Sequence, residues 1–166
     1  MKKNKAEKLV KEADNYLNMA RWDKAEEILR KAIQLDPKNP EAYYLLGEAL
    51  SKLERFQEAI ISLKKGDELL PNNPRILHLL GWNIFMAGNP KDGRKYMQKA
   101  LNMLPEDVKI LCDLAVLENK EHNDSKAKEY AFLAMQTYPD DEMVQEVYQV
   151  VTFFSKLRSD LLKNNN

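Results

Sequence analysis

Leu35-Asp36-Pro37 opens a series of prolines that returns every 34 residues along this chain of 166. The later members of the series are Pro71, Pro105 and Pro139. Small residues keep the same phase in two further series, which are Ala25, Ala59, Gly93 and Ala127, and then Ala32, Gly66, Ala100 and Ala134. A period of this length is typical of stacked helix pairs, in which each pair packs only on its neighbours. The sequence therefore predicts an all-α chain built as a stack of helix pairs.

Composition narrows the class of partner. Lys and Arg number 26, and Asp and Glu also number 26, so the formal net charge is zero. A neutral chain lacks the long-range field that recruits nucleic acid or an anionic membrane surface, so we expect no nucleic-acid partner. Cys112 is the single cysteine of the sequence, which excludes a disulfide within the chain. This composition is typical of a reducing compartment.

The amino-terminal residues 1–5, Met-Lys-Lys-Asn-Lys, lead directly into a charged, helix-patterned segment. The apolar core of a signal peptide is not found there. No apolar run approaches the length of about 18 residues that a spanning helix needs. We therefore expect a cytoplasmic protein without membrane insertion.

Gly and Pro stand between segments rich in Ala, Leu, Glu and Lys, which favours helices throughout. Asn39, Asn73 and Asn89 each precede a proline, which predicts an N-cap followed by proline in the first helical position. Asp124 and the pair Asp140–Asp141 are candidate caps for two more helices. The predicted helices are 6–19, 22–35, 40–53, 56–70, 74–87, 90–104, 108–121, 124–138 and 142–163.

The best-matching frame reads Tyr43-x2-Leu46-Gly47-x2-Leu50, followed by Ala59 and Pro71. This pattern resembles the tetratricopeptide repeat, whose first helix carries W-x2-L-G-x2-Y. The resemblance implies one domain over 1–166, folded as a superhelical solenoid of antiparallel helix pairs. Its parts are repeats at about 6–39, 40–73, 74–107 and 108–141 and a capping helix at 142–163.

The sequence departs from the pattern at four positions, and at two of them, Gly66 and Gly93, glycine replaces alanine. Glu118 stands where the fourth repeat should present a large apolar side chain, and Glu12 replaces a leucine in the first. We interpret both as features of terminal repeats that face solvent on one side.

The terminal helix is predicted to close the stack by burying one apolar stripe. The residues assigned to that stripe are Met143, Val144, Val147, Tyr148, Val151, Phe154 and Leu157. Val150 and Phe153 add a second apolar flank. A plain cap is the favoured interpretation, and a helix that also dimerises or covers the groove is the alternative.

The sequence gives little support for catalytic activity. The two histidines and Cys112 lie in no HExxH, CxxC, GxxxxGK[ST] or GxSxG motif. Residues 121–124, Glu-His-Asn-Asp, are interpreted as a solvated turn in which Asp124 caps the next helix. We therefore predict no enzymatic activity, no cofactor and no metal site.

By resemblance to the family, positions 2, 5, 9, 12 and 13 of the first helices, counted from residues 6, 40, 74 and 108, line a concave groove. The predicted groove residues are Val10, Leu17, Tyr44, Glu48, Arg75, His78, Trp82, Phe85, Met86, Lys109, Cys112 and Val116. Trp82, Phe85 and Met86 stand out as apolar anchors for a partner. Packing against a neighbouring repeat is the alternative for these three.

Some family members bind a terminal carboxylate through lysine, asparagine and arginine on their first helices. The corresponding positions here hold Val10, Asp14, Leu45, Arg75 and Leu79. Because a desolvated carboxylate needs several donors and only Arg75 supplies one, this argues against such a clamp.

The predicted function is therefore a non-enzymatic adaptor or scaffold whose groove binds a peptide or helix of a partner protein. One alternative is a secretion-type chaperone that holds a hydrophobic segment of its client. A second alternative is a scaffold that self-assembles as a homodimer through the terminal helix.

Overall fold

The computed structural model describes residues 2–164, and residues 1, 165 and 166 lie outside the described part. The described residues form nine α-helices and no strand, which confirms the predicted all-α class. The helices are α1 Lys2–Asn18, α2 Trp22–Leu35, α3 Pro40–Lys52, α4 Phe56–Leu69, α5 Pro74–Met86, α6 Pro90–Met103, α7 Val108–Lys120, α8 Asp124–Thr137 and α9 Glu142–Asn164. None of the helices within 2–164 combines the length and apolarity needed to cross a bilayer.

The predicted start of α1 at residue 6 is wrong, because the helix already begins at Lys2. Residues 2–5 contain neither proline nor glycine, and lysine is a good helix former, so nothing local ends the helix there. The other starts agree with the sequence prediction, and the ends agree within one residue.

Asparagine side chains begin three of the helices as predicted. The Asn39 Oδ1 atom accepts a hydrogen bond from the Ala42 N–H at 3.1 Å. The Asn73 Oδ1 atom accepts from the Ile76 N–H at 3.2 Å, and the Asn89 Oδ1 atom accepts from the Asp92 N–H at 3.1 Å. Each cap satisfies a helix N–H that has no partner within the helix.

Asp141 caps α9, since its Oδ1 atom accepts from the Val144 N–H at 3.0 Å. The prediction for Asp124 is wrong. The N-cap of α8 is Asn123, which makes no capping hydrogen bond through its side chain, and Asp124 is the first helical residue. Its carboxylate instead accepts a hydrogen bond from the Arg158 Nε atom at 2.9 Å.

The turn within each repeat has the same backbone geometry, with one residue in the left-handed region. These residues are Ala20, Glu54, Gly88 and His122, at φ of 55°, 58°, 94° and 61°. The N–H of the following residue donates to the carbonyl five residues back, at 2.9, 2.9, 3.1 and 2.8 Å in chain order. This is the closure that commonly ends a helix at a glycine. Here it forms at three non-glycine residues, each of which carries backbone strain.

The chain divides into two compact units, Met1–Tyr96 and Met97–Asn166. The single-domain organisation therefore stays a prediction. In the first unit α1 packs on α2, α3 on α4, and α5 on α3 and α4. A Cβ atom at Gly47 would lie 2.5 Å from Leu63 Cγ, so the missing side chain lets α3 and α4 approach closely.

Ion pairs connect the second helices of the first two repeats. Within α2, the Arg30 Nε atom donates to Glu26 Oε1 at 2.8 Å. The other oxygen of Glu26 accepts from Arg55 Nη1 at 2.6 Å, across the repeat boundary. Arg55 also donates to Glu58, and this hydrogen bond lowers the pKa of the Glu58 carboxyl. The network fixes the α4 N-terminus against α2.

In the second unit α7 packs on α8, and α9 packs on both. The side chains of Val144, Val151 and Ser155 are buried along one line of α9. The prediction that Met143, Phe154 and Leu157 are buried is wrong, since their exposed fractions are 40, 42 and 43%. One line of α9 is enough to cover α7 and α8, and the remaining apolar side chains are left outside it.

Glu118 is also placed differently from the sequence interpretation. Its side chain is fully buried rather than facing solvent. The Asn123 Nδ2 atom donates to Glu118 Oε2 at 2.6 Å, and the Asn123 N–H donates to the Glu118 carbonyl. Glu118 therefore fixes the turn between α7 and α8 from inside the second unit.

Candidate functional site

The accessible side chains of α3 and α5 in the first unit form what we call the α3–α5 surface. Its members are Tyr44, Glu48, Arg75, His78, Trp82 and Met86. All six come from the predicted groove residues. The side chains of Arg75 and Met86 are exposed, and the other four are half-buried.

Arg75 lies over the ring of Tyr44, with the Cζ atom 4.4 Å from the ring centroid. This distance is typical of a cation–π contact. The Nη1 atom of Arg75 lies 3.6 Å from Glu41 Oε1, which is longer than a hydrogen bond. The guanidinium group is therefore held in orientation by an aromatic face and keeps donors for a ligand.

The charges of this pair are set by their surroundings. Burial is the largest cause that raises the pKa of the Tyr44 hydroxyl, and Glu48 adds to it. Burial on its own lowers the pKa of Arg75, but Tyr44 and Glu41 outweigh it and the net change is upward. A neutral phenol beside a permanent cation can bind an anion without a change of protonation near neutral pH.

Trp82 lies seven residues after Arg75 on α5, two helical turns away and on the same face. Its ring meets the ring of Phe85 edge to face, with centroids 5.6 Å apart. Phe85 is 4% exposed, so it supports Trp82 from below. A Cβ atom at Gly93 would lie 2.9 Å from both the Cβ and N atoms of Phe85, which shows how closely α6 approaches there.

Four predicted groove residues are buried, and the prediction that they line an accessible surface is wrong. They are Val10, Leu17, Phe85 and Cys112. Val10 and Leu17 belong to the core cluster of the first unit. These residues occupy positions 5 and 12 of the frame, which flank the stripe that packs against neighbouring helices. Position 9 stays accessible, as Glu48, Trp82 and Val116 show.

Cys112 lies in the second unit, together with exposed Lys109 and half-buried Val116. Burial is the main cause that raises the pKa of the Cys112 thiol to about 11, and Asp113 and Asp141 add to it. A buried thiol with a raised pKa is a poor nucleophile, which agrees with a structural role.

Arg158 of α9 connects both helices beneath it. Its Nη2 atom donates to the Asn119 Oδ1 atom at 2.6 Å, and its Nε atom binds Asp124. The hydrogen bond from Arg158 lowers the pKa of the Asp124 carboxyl. Asn119 and Asp124 therefore anchor α9 through Arg158, which no local pattern in residues 121–124 predicts.

Asn83 occupies a fully buried position of α5. Its Nδ2 atom donates to the Leu79 carbonyl at 2.8 Å. Its Oδ1 atom accepts no hydrogen bond from any residue in 2–164. A hydrogen-bond acceptor that is buried without a partner destabilises the fold. Asn83 therefore lowers the stability of the folded chain, which the apolar pattern of α5 does not reveal.

A cleft that sequence reasoning missed lies between α2 and α4 of the first unit. Its volume is about 760 Å³, and its apolar lining is formed by Ile33, Tyr43, Leu46, Leu50 and Ile61. Charged residues, among them Arg30, Glu58 and Lys65, surround this lining. The side chain of Ile61 is 70% exposed, an unusual fraction for a large aliphatic residue and the one local signal of the cleft.

Within the described residues, no three His, Cys, Asp or Glu side chains converge as a metal site would require. The α3–α5 surface and its border contain one cation held on a ring, an indole and the carboxylates of Glu41 and Glu48. Such groups recognise charge and apolar shape, which is the chemistry of peptide binding.

Comparison with known proteins agrees with the helical pattern. The family model of the tetratricopeptide repeat matches residues 16–82. None of the curated proteins compared with the sequence matches it.

Solved structures with the same fold cover most of the chain. TTC0263, a thermophilic TPR protein of Thermus thermophilus, has 19% identity and a TM-score of 0.79, with 89% of this chain and 81% of that chain covered. The MamA protein has 20% identity and a TM-score of 0.74, with coverages of 95% and 86%. YrrB, a TPR protein with an unusual peptide-binding site, has 19% identity and a TM-score of 0.69, with coverages of 93% and 80%. At these identities the likeness shows the fold alone. The match to the tetratricopeptide-repeat family therefore stands for residues 16–82, and the solved structures show the same fold over most of the chain.

Proposed function

We propose that this protein is a non-enzymatic interaction module that binds a peptide of a partner protein on the α3–α5 surface. The observation that carries the proposal is the Arg75 guanidinium group, held over the Tyr44 ring at 4.4 Å on the same face as Trp82. A cation and an indole fixed on one helix face can bind two side chains of a single ligand.

The spacing of these two groups indicates the ligand. Arg75 and Trp82 are separated by about 10 Å along the helix axis, at 1.5 Å per residue. A peptide in the polyproline II conformation advances about 3.1 Å per residue with three residues per turn, so side chains three positions apart lie on one face and span nearly the same distance. We therefore propose a ligand with an acidic residue followed, three positions later, by a large apolar one. The carboxylate binds Arg75, and the apolar side chain packs on Trp82.

A displayed library of random 12-residue peptides tests this proposal directly. We expect enrichment of the acidic and apolar pair at that spacing. Trp82→Ala and Arg75→Met should each weaken binding of an enriched peptide at least tenfold. Because Arg75→Met keeps an apolar side chain against Tyr44, its effect should fall mainly on peptides that carry the acid.

Ile61→Glu provides the matched control, since it changes the α2–α4 cleft and leaves the α3–α5 surface intact. We expect unchanged binding in this variant. Peptides that lose affinity in Ile61→Glu but not in Trp82→Ala would contradict the proposal and place the site in the cleft.

The buried, unreactive Cys112 and the absence of any other cysteine in the sequence suit a reducing compartment. We therefore propose a cytoplasmic location, which fractionation of cells that express the protein would test.

A further inference from the structure

α9 carries an apolar line that its own unit does not cover. Val144, Val151 and Ser155 form the line buried against α7 and α8. About a quarter turn away runs a second line, which we call the α9 stripe: Met143, Val147, Val150, Phe154, Leu157 and Leu161. Five of its side chains are 40 to 55% exposed, and Val147 is half-buried at its inner edge.

The spacing of the α9 stripe indicates what shape of partner covers it. Successive members are separated by 4, 3, 4, 3 and 4 residues, which is the heptad spacing of a coiled-coil seam. An extended peptide presents alternate residues and cannot follow such a line over nearly three heptads. The matching partner is a helix with the same repeat.

We propose that the α9 stripe binds the α9 stripe of a second copy of this chain in antiparallel orientation, centred at Thr152. About this centre every member of the stripe meets another member. Met143 packs against the partner's Leu161, Val147 against the partner's Leu157, and Val150 against the partner's Phe154. No apolar position of the stripe is left without a counterpart.

The sizes of the paired side chains agree with this register. Each valine lies opposite a larger side chain, Phe154 or Leu157, which is the alternation of small and large that fills a seam evenly. The parallel arrangement would instead place valine on valine and phenylalanine on phenylalanine, which leaves gaps in some layers and overfills others.

The surface available suits a weak, reversible dimer. A large apolar side chain has roughly 150–200 Å² of surface, so six that are about half exposed offer on the order of 500 Å² per copy. The pair then buries about 1,000 Å², the lower limit for a specific interface. We therefore expect a dissociation constant in the micromolar range.

Sedimentation velocity over a concentration series tests the proposal. We expect the full chain to shift from monomer to dimer as its concentration rises through the micromolar range. Phe154→Asp should weaken dimerisation at least tenfold, because it buries a charge at the seam. Since Phe154 is exposed in the monomer, the variant should keep its helical circular dichroism.

The matched control is Ile61→Asp, a change at an exposed apolar residue of α4, which should dimerise like the wild type. Trp82→Ala should also dimerise normally, which separates this proposal from the peptide site. A wild type that stays monomeric at all concentrations would overturn the proposal. Equal weakening by Phe154→Asp and Ile61→Asp would overturn it too.

Cysteine cross-linking tests the orientation. Residues 143 and 161 are 18 residues apart, or about 27 Å along the helix. On mild oxidation, Met143→Cys combined with Leu161→Cys should give a cross-linked dimer, whereas each single variant should not. Cross-linking by either single variant would indicate a parallel pair and overturn the proposed register. The buried Cys112 contributes no background.

Discussion

The α3–α5 surface and the α9 stripe differ in how their side chains are supported. Arg75 lies on Tyr44 and Trp82 lies on Phe85, so the exposed groups of the first unit are held by groups beneath them. Five of the six side chains of the α9 stripe are 40 to 55% exposed, and the ring of Phe154 contacts that of its neighbour Phe153. Supported groups can fix the direction of a ligand, whereas an unsupported stripe offers area and depends on the shape of its partner.

The largest expected change in stability comes from removing Phe85, the residue that supports Trp82. Phe85→Ala should lower the free energy of unfolding by about 3–5 kcal/mol, because a buried aromatic ring is replaced by a cavity. Phe154→Ala, measured at low concentration where the chain is monomeric, should cost less than about 1 kcal/mol. Urea titrations of both variants provide the comparison. Similar losses in the two would show that the aromatic residues of the two surfaces are supported alike.

A second test swaps the residue types at two equivalent buried positions, one in each unit. Asn83 and Leu117 occupy the same place in the repeat, and both are fully buried. Leu117→Asn should cost about 3 kcal/mol, because it removes apolar packing and buries an amide. Asn83→Leu should stabilise the fold by about 1 kcal/mol, since the unpartnered Oδ1 atom is removed.

Both changes can be followed by thermal unfolding. A loss of stability in Asn83→Leu would show that the amide makes a contribution that outweighs its unpaired oxygen.

A third test asks whether the left-handed residue of each intra-repeat turn is strained in both units. Glu54→Gly in the first unit and His122→Gly in the second should each stabilise by about 0.5–1 kcal/mol, because glycine adopts positive φ without strain. Gly88→Ala should destabilise by about 1 kcal/mol for the same reason. Chemical denaturation resolves changes of this size. A stabilising Gly88→Ala would contradict the turn assignment.

The smallest effect concerns the anchor of α9. The pKa of the Asp124 carboxyl is lowered by Arg158, so the pair stabilises the fold above the ordinary carboxyl pKa of 3.8. That contribution is lost as pH falls through the lowered value. Asp124→Asn should therefore remove about 0.5 kcal/mol at neutral pH and progressively less as pH falls below 3.8.

A series of melts from pH 7 to 2 measures the difference between Asp124→Asn and the wild type. Glu54→Gln, a change at an exposed carboxylate, serves as the control. A difference that persists at the lowest pH would contradict the electrostatic origin.

The sequence alone was sufficient for the helices because their boundaries are set locally. The proline series and the asparagine caps act on neighbouring residues, so eight helices begin where they were predicted. The left-handed turns were not predictable, since Ala20, Glu54 and His122 do not favour that conformation. Backbone hydrogen bonds that form only after both helices exist select it.

The candidate site was predictable to the extent that position in the repeat determines exposure. Trp82 and Glu48 share position 9 and are both accessible. Phe85 and Leu17 share position 12, and both are buried because neighbouring helices cover that flank. From the sequence, the α9 stripe was recognised as apolar, but part of it was assigned to the core. Two apolar lines run side by side on α9, and the sequence alone does not determine which of them packs against the preceding repeat.

The length of α9 has a consequence for measurement. The helix has 23 residues against 13 in α7, and every residue in 159–164 is exposed. Because these final turns are exposed, their amide protons should exchange with solvent far sooner than those near buried Val151. Covering Leu161 would slow that exchange. Amide protection in the last turns of α9 is therefore a label-free readout of whether the stripe is occupied, available at each concentration and in each variant.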